Sequence, residues 1–380
     1  MSRLPSRLLL QPMLAYGVVR GWVIRRRQVA IPRRILIAHH LLLGDTLMLT
    51  ALLAKLRRQY PLAEIVMTCP PAIAGLFAAR PHGVTALSYD PADATSLWAL
   101  WRECRSRNGF DLALLPADNR LSWLARALGS RHIVGFAGDR PAYKNWFVDE
   151  FRHYPDSPMA LPEIFASLVD GPPPPAFKPQ DWPLVSAQAF DVPKAPYAVL
   201  HLGASSPLKL WPAERWWALA QWLVAQGVTP IWSAGKKEIA LIDAVDPQAR
   251  YVSYAGKLDL LQLAHLLRGA SLLVCPDTGV AHLARAMFVP QVVLHGPGSD
   301  VLVGKDEFWR DNPYRGLSVD IECRDQDVLF KRRIAWVRRC ARPLGNDMPN
   351  KCPRARCMEG ISVERVMAAC LEILHKPSSE

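Results

Sequence analysis

A chain of 380 residues, half of them hydrophobic and 21% charged, can bury a sizeable core, which excludes wholesale disorder and leaves room for two domains. Its net charge of +12 is uneven: no acid precedes Asp45, while eight arginines do, and Lys331–Arg356 holds Asp347 as its only acid. Such clusters attract anions, whether a membrane surface, nucleic acid or a phosphorylated substrate, unless they are simply solvated surface.

At the amino end, Leu8–Ile24 is apolar but interrupted by Arg20, with no small-residue cleavage site after it. Seventeen residues with a charge inside are short for a membrane span. With Arg25, Arg26 and Arg27 behind it, residues 1–32 read as a basic extension with an interfacial helix; a helix packed on the protein's own body is the alternative. From Arg34 onward, β-branched apolar runs alternate with helical patterns. "RILIA", "AEIVMT", "GVTALSY", "FDLALLPA" and "RHIVGF" are strands, and "TLMLTALLAKLRRQYP", "SLWALWRECRSR" and "LSWLARALG" are helices. This alternation predicts a parallel sheet covered on both faces over 33–170. Four consecutive prolines, Pro172–Pro175, then open a proline-rich linker over 171–196. The alternation restarts over 197–360 with the strands "YAVLHLG", "VTPIWSAG", "YVSYAG", "SLLVC" and "PQVVLHG", and helices between them. The last helical pattern, within 361–380, is expected to pack back on the first domain. The fold class is therefore α/β: two doubly wound, Rossmann-like domains facing a central cleft.

Three loops at predicted strand ends carry residues suited to chemistry. In "CPDTGVAHLARAM" a strand turns directly into a helix, so the free N–H groups near Thr278 and Gly279 favour an anion. Gly279 permits close backbone approach, and His282 shares the face of Thr278 one turn on. The plain alternative is a helix capped by Asp277 or Thr278, with His282 buried. "GASSPLK" is a small-residue loop ending at Lys209, a point charge for a phosphate or an exposed loop cation. In "HHLLLGD", Asp45 opens a helix, where it is either an N-cap or a general base at a cleft mouth.

Taken in order, "RILIAHHLLLGDTLMLTALLAKLRRQYPLAEI", "FDLALLPADNRLSWLARALGSRHIVGF", "HLGASSPLKLWPAERWWALA" and "CPDTGVAHLARAMFVPQVVLHGPGS" resemble the blocks of glycosyltransferase family 9, the heptosyltransferases of lipopolysaccharide core assembly. The resemblance spans roughly Arg34 to Leu374. It implies a GT-B fold and inverting, metal-independent transfer from a nucleotide sugar, typically ADP-heptose, to a lipopolysaccharide-core or related glycan acceptor. On it, Asp45 looks like the catalytic base and Lys209 like the diphosphate-binding lysine. Asp277, Thr278, Gly279 and His282 match the nucleotide-sugar motif, Ser205 stands where the family has a hydroxyl near the phosphate, and Glu238 and Leu258 fall near the nucleoside. The basic extension, the apolar "HHLLLGD" loop and "ECRDQDVLFKRRIAWVRRC" depart from the usual pattern. Other readings are a different GT-B-type nucleotide-sugar enzyme such as an epimerase, and a non-catalytic basic protein that docks on anions or membrane.

Eight cysteines without a recognisable signal peptide point to a reducing cytoplasm, so disulfides are not expected. Cys323, Cys340, Cys352 and Cys357 are spaced by 17, 12 and 5, with no C-x-x-C pair, so no metal and no cofactor are expected. The expected partners are a nucleotide-sugar donor, an anionic glycolipid or oligosaccharide acceptor and a peripheral contact with the inner membrane, but no nucleic acid.

Overall fold

The computed structural model describes residues 12, 13, 15, 31–106, 109–194, 196–348 and 350–375. Apart from Pro12, Met13 and Ala15, the apolar stretch Leu8–Ile24 lies outside the described residues. Among the described residues no helix is long and apolar enough to cross a membrane. The chain divides into two compact units, 1–185 with 328–335, and 186–327 with 336–380. The division at 185 falls inside the proline-rich segment.

The first unit holds six strands: β1 (Arg34–Ile37), β2 (Glu64–Cys69), β3 (Val84–Ser88), β4 (Phe110–Leu115), β5 (Ser130–Phe136) and β6 (Glu150–Arg152). They pair in the order β3-β2-β1-β4-β5-β6, every pair parallel. β1 is central because "ILI" is apolar on both faces, as helices packed above and below require. The strand order reverses between β1 and β4, the point at which doubly wound sheets open to ligands. "TLMLTALLAKLRRQYP" forms two helices, Leu43–Met48 and Thr50–Gln59, rather than one. β6 was not expected; it is three residues long and too short to carry a period.

The second unit repeats the plan with β7 (Tyr197–His201), β8 (Thr229–Ser233), β9 (Leu272–Pro276), β10 (Gln291–His295) and β11 (Tyr314–Ser318), ordered β11-β10-β9-β7-β8. The expected strand "YVSYAG" is reduced to one parallel bridge, Trp232 to Ser253, with Trp232 N–H donating to Val252 O at 2.9 Å. The segment still runs beside β8, with Tyr254 N–H donating to Trp232 O at 2.9 Å and Gly256 N–H to Ala234 O at 3.0 Å, and its start is held by the Asp246 carboxylate, which accepts from the N–H groups of Arg250 and Tyr251 at 3.0 Å. The reversal here lies between β7 and β9, so the loops carrying Lys209 and Asp277 both leave its carboxyl edge.

Two expectations are corrected. The second domain is not continuous over 197–360, because the hairpin β12 (Val328–Leu329) and β13 (Arg332–Arg333) belongs to the first unit. Arg332 is its anchor. It is 3% exposed and donates to the carbonyls of Ala117, Phe136 and Ala137, with Asp139 at 3.5 Å. A guanidinium supplies enough donors for that many acceptors, so a formally basic residue can be a buried strut. The last helix, Val363–Leu374, buries Val366, Ala369, Cys370 and Ile373 in the second unit's own core, not against the first unit. Its partner is the helix Ala213–Ala225, whose Trp216, Leu219 and Leu223 form a matching apolar stripe. The connection is fixed by Trp211 Nε1 donating to Ile361 O at 2.8 Å.

Candidate active site

In the second unit, β9 ends at Pro276 and the helix Gly279–Ala286 begins three residues later. Asp277 is still held in register, its N–H donating to Leu294 O at 3.0 Å. Thr278 takes the extended N-cap conformation, but its side chain makes no cap hydrogen bond. Its Oγ1 is buried without a protein partner. A buried hydroxyl without a partner costs free energy unless a ligand or water completes it. Beside it the first N–H groups of the helix point outward, favoured toward negative charge by the dipole.

Lys209 approaches from the loop after β7. The short 3₁₀ turn Pro207–Lys209 is started by Ser206, whose Oγ accepts from Leu208 N–H at 3.3 Å. Lys209 Nζ donates to Asp277 O at 2.7 Å and to Asp277 Oδ2 at 2.8 Å. Asp277 is 8% exposed. Burial works against its charge, but the Lys209 ammonium, with lesser help from His295 and His282, outweighs burial and holds the carboxyl at about 2. Gly298 makes room: a Cβ there would stand 2.5 Å from Asp277 Oδ2. Lys209 is therefore not a free loop cation. It is preplaced against Asp277, an acid that by itself would repel a phosphate.

Two histidines back this pair. His282 is brought down to about 3 by burial, with Arg285 adding to the effect, so it is neutral at pH 7, and its Nδ1 has no protein partner. His295 is lowered by burial too, and its Nε2 lies 2.5 Å from Tyr314 Oη. Arg285 stands 4.5 Å over the Tyr314 ring and donates to Gly304 O at 2.9 Å. His295, Tyr314, Arg285 and Gly298 were not singled out from sequence. His295 read as a strand end, and β11, which carries Tyr314, was not expected at all.

Of the other expected residues in this unit, Ser205 is exposed on the Lys209 loop. Glu238 folds over the carboxyl ends of β7 and β8: its Oε2 accepts from Gly235 N–H at 2.9 Å, and a Cβ at Gly203 would fall 2.0 Å from that oxygen. Leu258 is half-buried and leads into the helix Leu260–Arg268, which Asp259 and Gln262 close with a reciprocal capping box.

In the first unit, Asp45 is half-buried in the first turn of Leu43–Met48, where the helix dipole favours its charge. The His39–Leu42 loop before it is braced by a neutral histidine. Burial brings His39 to about 3, so its Nδ1 can accept from Leu41 N–H at 3.2 Å. Thr68 Oγ1 accepts from His39 N–H and donates to His39 O, both at 3.0 Å. The histidine in this loop thus acts through hydrogen bonds, not charge.

The basic stretch 331–356 is less free than its composition implies. Besides Arg332, Arg342 pairs with Asp325 at 2.6 Å, Arg356 with Glu322 at 2.9 Å, Lys351 with Asp347 at 2.7 Å, and Arg354 with Glu359. Most of these acids lie just outside the stretch, where a count within it misses them. Among the described residues no three of His, Cys, Asp and Glu are gathered as a metal-ligand set.

The model of glycosyltransferase family 9 (heptosyltransferase) matches residues 97–323. Lipopolysaccharide heptosyltransferase 1 of Pseudomonas aeruginosa is 30% identical over 220 residues, 54% of this chain and 60% of that protein. A crystal structure of a family 9 glycosyl transferase from Veillonella parvula matches with a TM-score of 0.68 at 17% identity, covering 90% of this chain and 97% of that one. The structure of Escherichia coli ADP-heptose lps heptosyltransferase II matches with a TM-score of 0.66 at 18% identity, covering 90% and 98%. These two structures establish the GT-B-type fold of paired parallel-sheet α/β units.

Proposed function

The chain belongs to glycosyltransferase family 9, and on that footing we propose that it is an inverting glycosyltransferase that moves heptose from ADP-heptose to a lipopolysaccharide-core or related cell-surface acceptor, with no metal at the reacting centre. The observation that carries the reading is the Lys209–Asp277 pair beside a helix start whose Thr278 hydroxyl is buried without a partner. A diphosphate supplies what this arrangement lacks, an acceptor for the Thr278 hydroxyl, and brings further negative charge to the Lys209 ammonium and the helix start.

In this reading Asp45 takes the proton from an acceptor hydroxyl as that oxygen bonds to the anomeric carbon, on the face opposite the diphosphate. The bond from that carbon to the phosphate oxygen breaks, and its electron pair leaves with ADP. Lys209 and the start of the helix Gly279–Ala286 stabilise the charge that develops there, in place before the reaction begins. Glu238, over the ends of β7 and β8, meets hydroxyls of the nucleoside, with Ser205 near the phosphates and Leu258 near the base. The acceptor is an anionic glycolipid presented at the cytoplasmic face of the inner membrane.

The test is to incubate the protein with ADP-heptose and lipopolysaccharide-core acceptors, following ADP release and the anomeric configuration of the product. Inverted glycoside formed only with acceptor supports the reading. A retained configuration, or donor converted productively without acceptor as an epimerase would do, overturns it.

A further inference from the structure

Among the described residues Trp146 is the most exposed tryptophan, at 68%, and Tyr143, three residues before it, is 43% exposed. A single aromatic ring in water is ordinary, but a cluster of them marks a surface that meets something. These two belong to a cluster. The Trp146 ring lies 5.7 Å from that of half-buried Trp123, tilted by 35°, and 6.5 Å from that of Tyr143, at 76°. The rings form an angled shelf on the first unit.

The shelf is held from behind. Tyr143 and Trp146 lie in and just after the short 3₁₀ turn Ala142–Asn145, and the two residues between them turn inward. Lys144 is 3% exposed; its Nζ donates to Asp139 Oδ1 at 2.8 Å and lies 3.3 Å from Asp118 Oδ1. Asn145 Nδ2 donates to Asp139 O at 2.9 Å, and Asn145 Oδ1 accepts from Asn119 Nδ2 at 2.7 Å. From the helix Leu121–Ala127, Ser122 Oγ donates to Lys144 O and Trp123 Nε1 donates to Tyr143 O, both at 3.0 Å. The polar side chains of this turn face the fold and its aromatic ones face solvent, the inverse of what burial alone favours. Rings fixed in advance lose little freedom when they bind. The turn follows β5 and the helix follows β4, so both leave carboxyl ends of the first sheet, as the loop of Asp45 leaves β1.

Area and charge select what covers the shelf. Two exposed rings offer at most about 300 Å², well short of the roughly 800 Å² per partner that a stable dimer buries. The rim is mixed in charge. Arg120 and Arg140 are exposed, and the half-buried Asp118 carboxylate lies 3.2 Å from the Arg120 guanidinium. An anionic membrane selects runs of cations. A carboxylate set among arginines suits hydroxyls instead, because a hydroxyl both donates and accepts. We propose that Trp146, Tyr143 and Trp123 form a carbohydrate-stacking subsite, which takes the apolar face of a sugar in the glycan acceptor other than the sugar that reacts. The C–H groups of that face meet the electron-rich faces of the rings, and Asp118 and Arg120 meet hydroxyls at its edge. No covalent bond forms or breaks there. The identity of the occupant rests on the glycosyl-transfer reading: Asp45 receives the reacting hydroxyl on the loop after β1, and the shelf holds a sugar further along the same acceptor.

The proposal is tested on the full chain, unaltered and as Trp146→Ala/Tyr143→Ala and Trp146→Phe. Each protein is titrated with a lipid-free lipopolysaccharide-core oligosaccharide, followed by saturation-transfer NMR, and assayed for transfer to it from ADP-heptose. In the double variant the Kd and the KM for the oligosaccharide are expected to rise roughly ten-fold. Trp146→Phe, which keeps an aromatic face, is expected to stay within about two-fold, and all three proteins should bind ADP equally. If the double variant unfolds, Trp146→Ala alone decides, with an expected rise of roughly five-fold. Unchanged affinity for the oligosaccharide in a folded variant overturns the proposal, and so does an unaltered chain that does not bind it. A variant that instead loses binding to phosphatidylglycerol vesicles, or loses a dimer, overturns it in favour of a membrane or a second copy. Oligosaccharide bound through the shelf with no sugar transferred sinks the glycosyl-transfer reading and leaves the shelf standing as a glycan site.

Discussion

Replacing Lys209 with methionine keeps the length of the side chain and removes the ammonium that holds Asp277. The size of the effect follows from the carboxylate left behind. Asp277 is held at about 2 against an ordinary 3.8, and at about 1.36 kcal/mol per pH unit this difference amounts to roughly 2.5 kcal/mol. The Lys209 side chain is 21% exposed, so solvent screening trims the figure to about 2 kcal/mol. For a unit of this size that is a fall in Tm of roughly 4–8 °C. The pH dependence has a definite sign. In the unaltered protein the depressed carboxyl contributes stability that is fully present above its unfolded value near 3.8 and is lost only as pH falls through about 2. In Lys209→Met, only the weaker effects of His295 and His282 still oppose burial, the largest influence on this group, so the carboxyl rises above its ordinary value. That cost is greatest near neutrality and is relieved by protonation on acidification, so the gap between the two proteins narrows as pH falls. Differential scanning calorimetry at pH 7.5 and pH 4.5 checks both points. A gap below about 0.5 kcal/mol at pH 7.5, or one that stays constant with pH, refutes the argument.

Asp45→Asn is expected to bind ADP as the unaltered protein does and to lose turnover by at least about 10²; calorimetric titration with ADP beside a turnover assay separates the two effects. Thr278→Val replaces a buried hydroxyl that has no protein partner by an apolar group of the same shape. Stability should therefore stay within about 0.5 kcal/mol while ADP binds several-fold more weakly, as thermal unfolding and titration will show. Arg332→Met strips donors from the Ala117, Phe136 and Ala137 carbonyls but leaves Asp139 paired with Lys144 at 2.8 Å. Urea unfolding of the first unit should register a loss of about 3 kcal/mol, with faster proteolytic cleavage across 328–335.

The alternating strands and helices were legible in the sequence because each is long enough to show a period. The parallel sheets followed from that alternation. The segments that escaped were the ones whose signal is tertiary. β6 is three residues long, and "YVSYAG" has the composition of a strand but pairs with β8 through a single parallel bridge, its start being held by the Asp246 carboxylate. The last helix shows the limit of amphipathic reasoning. Its apolar face is plain, but which core receives it depends on the stripe of Ala213–Ala225, a property of another segment.

The site shows the same division. "PDTG" and "PLK" were each visible as loops at strand ends, and both leave the edge of one reversed sheet. Their contact was not visible, because it joins residues 68 apart through one ammonium. Without that contact Asp277 looks hostile to a phosphate. With it, Asp277 is the counter-ion that aims a lysine, so in the proposed reading the acid and the anion site are parts of one device. Charge counted along the chain misleads for the same reason. Arg332 contributes to a basic cluster on paper and to a buried strut in the fold, while Arg342 and Arg356 balance Asp325 and Glu322. What a cation attracts is decided by the carboxylate already beside it, and those neighbours come from the fold.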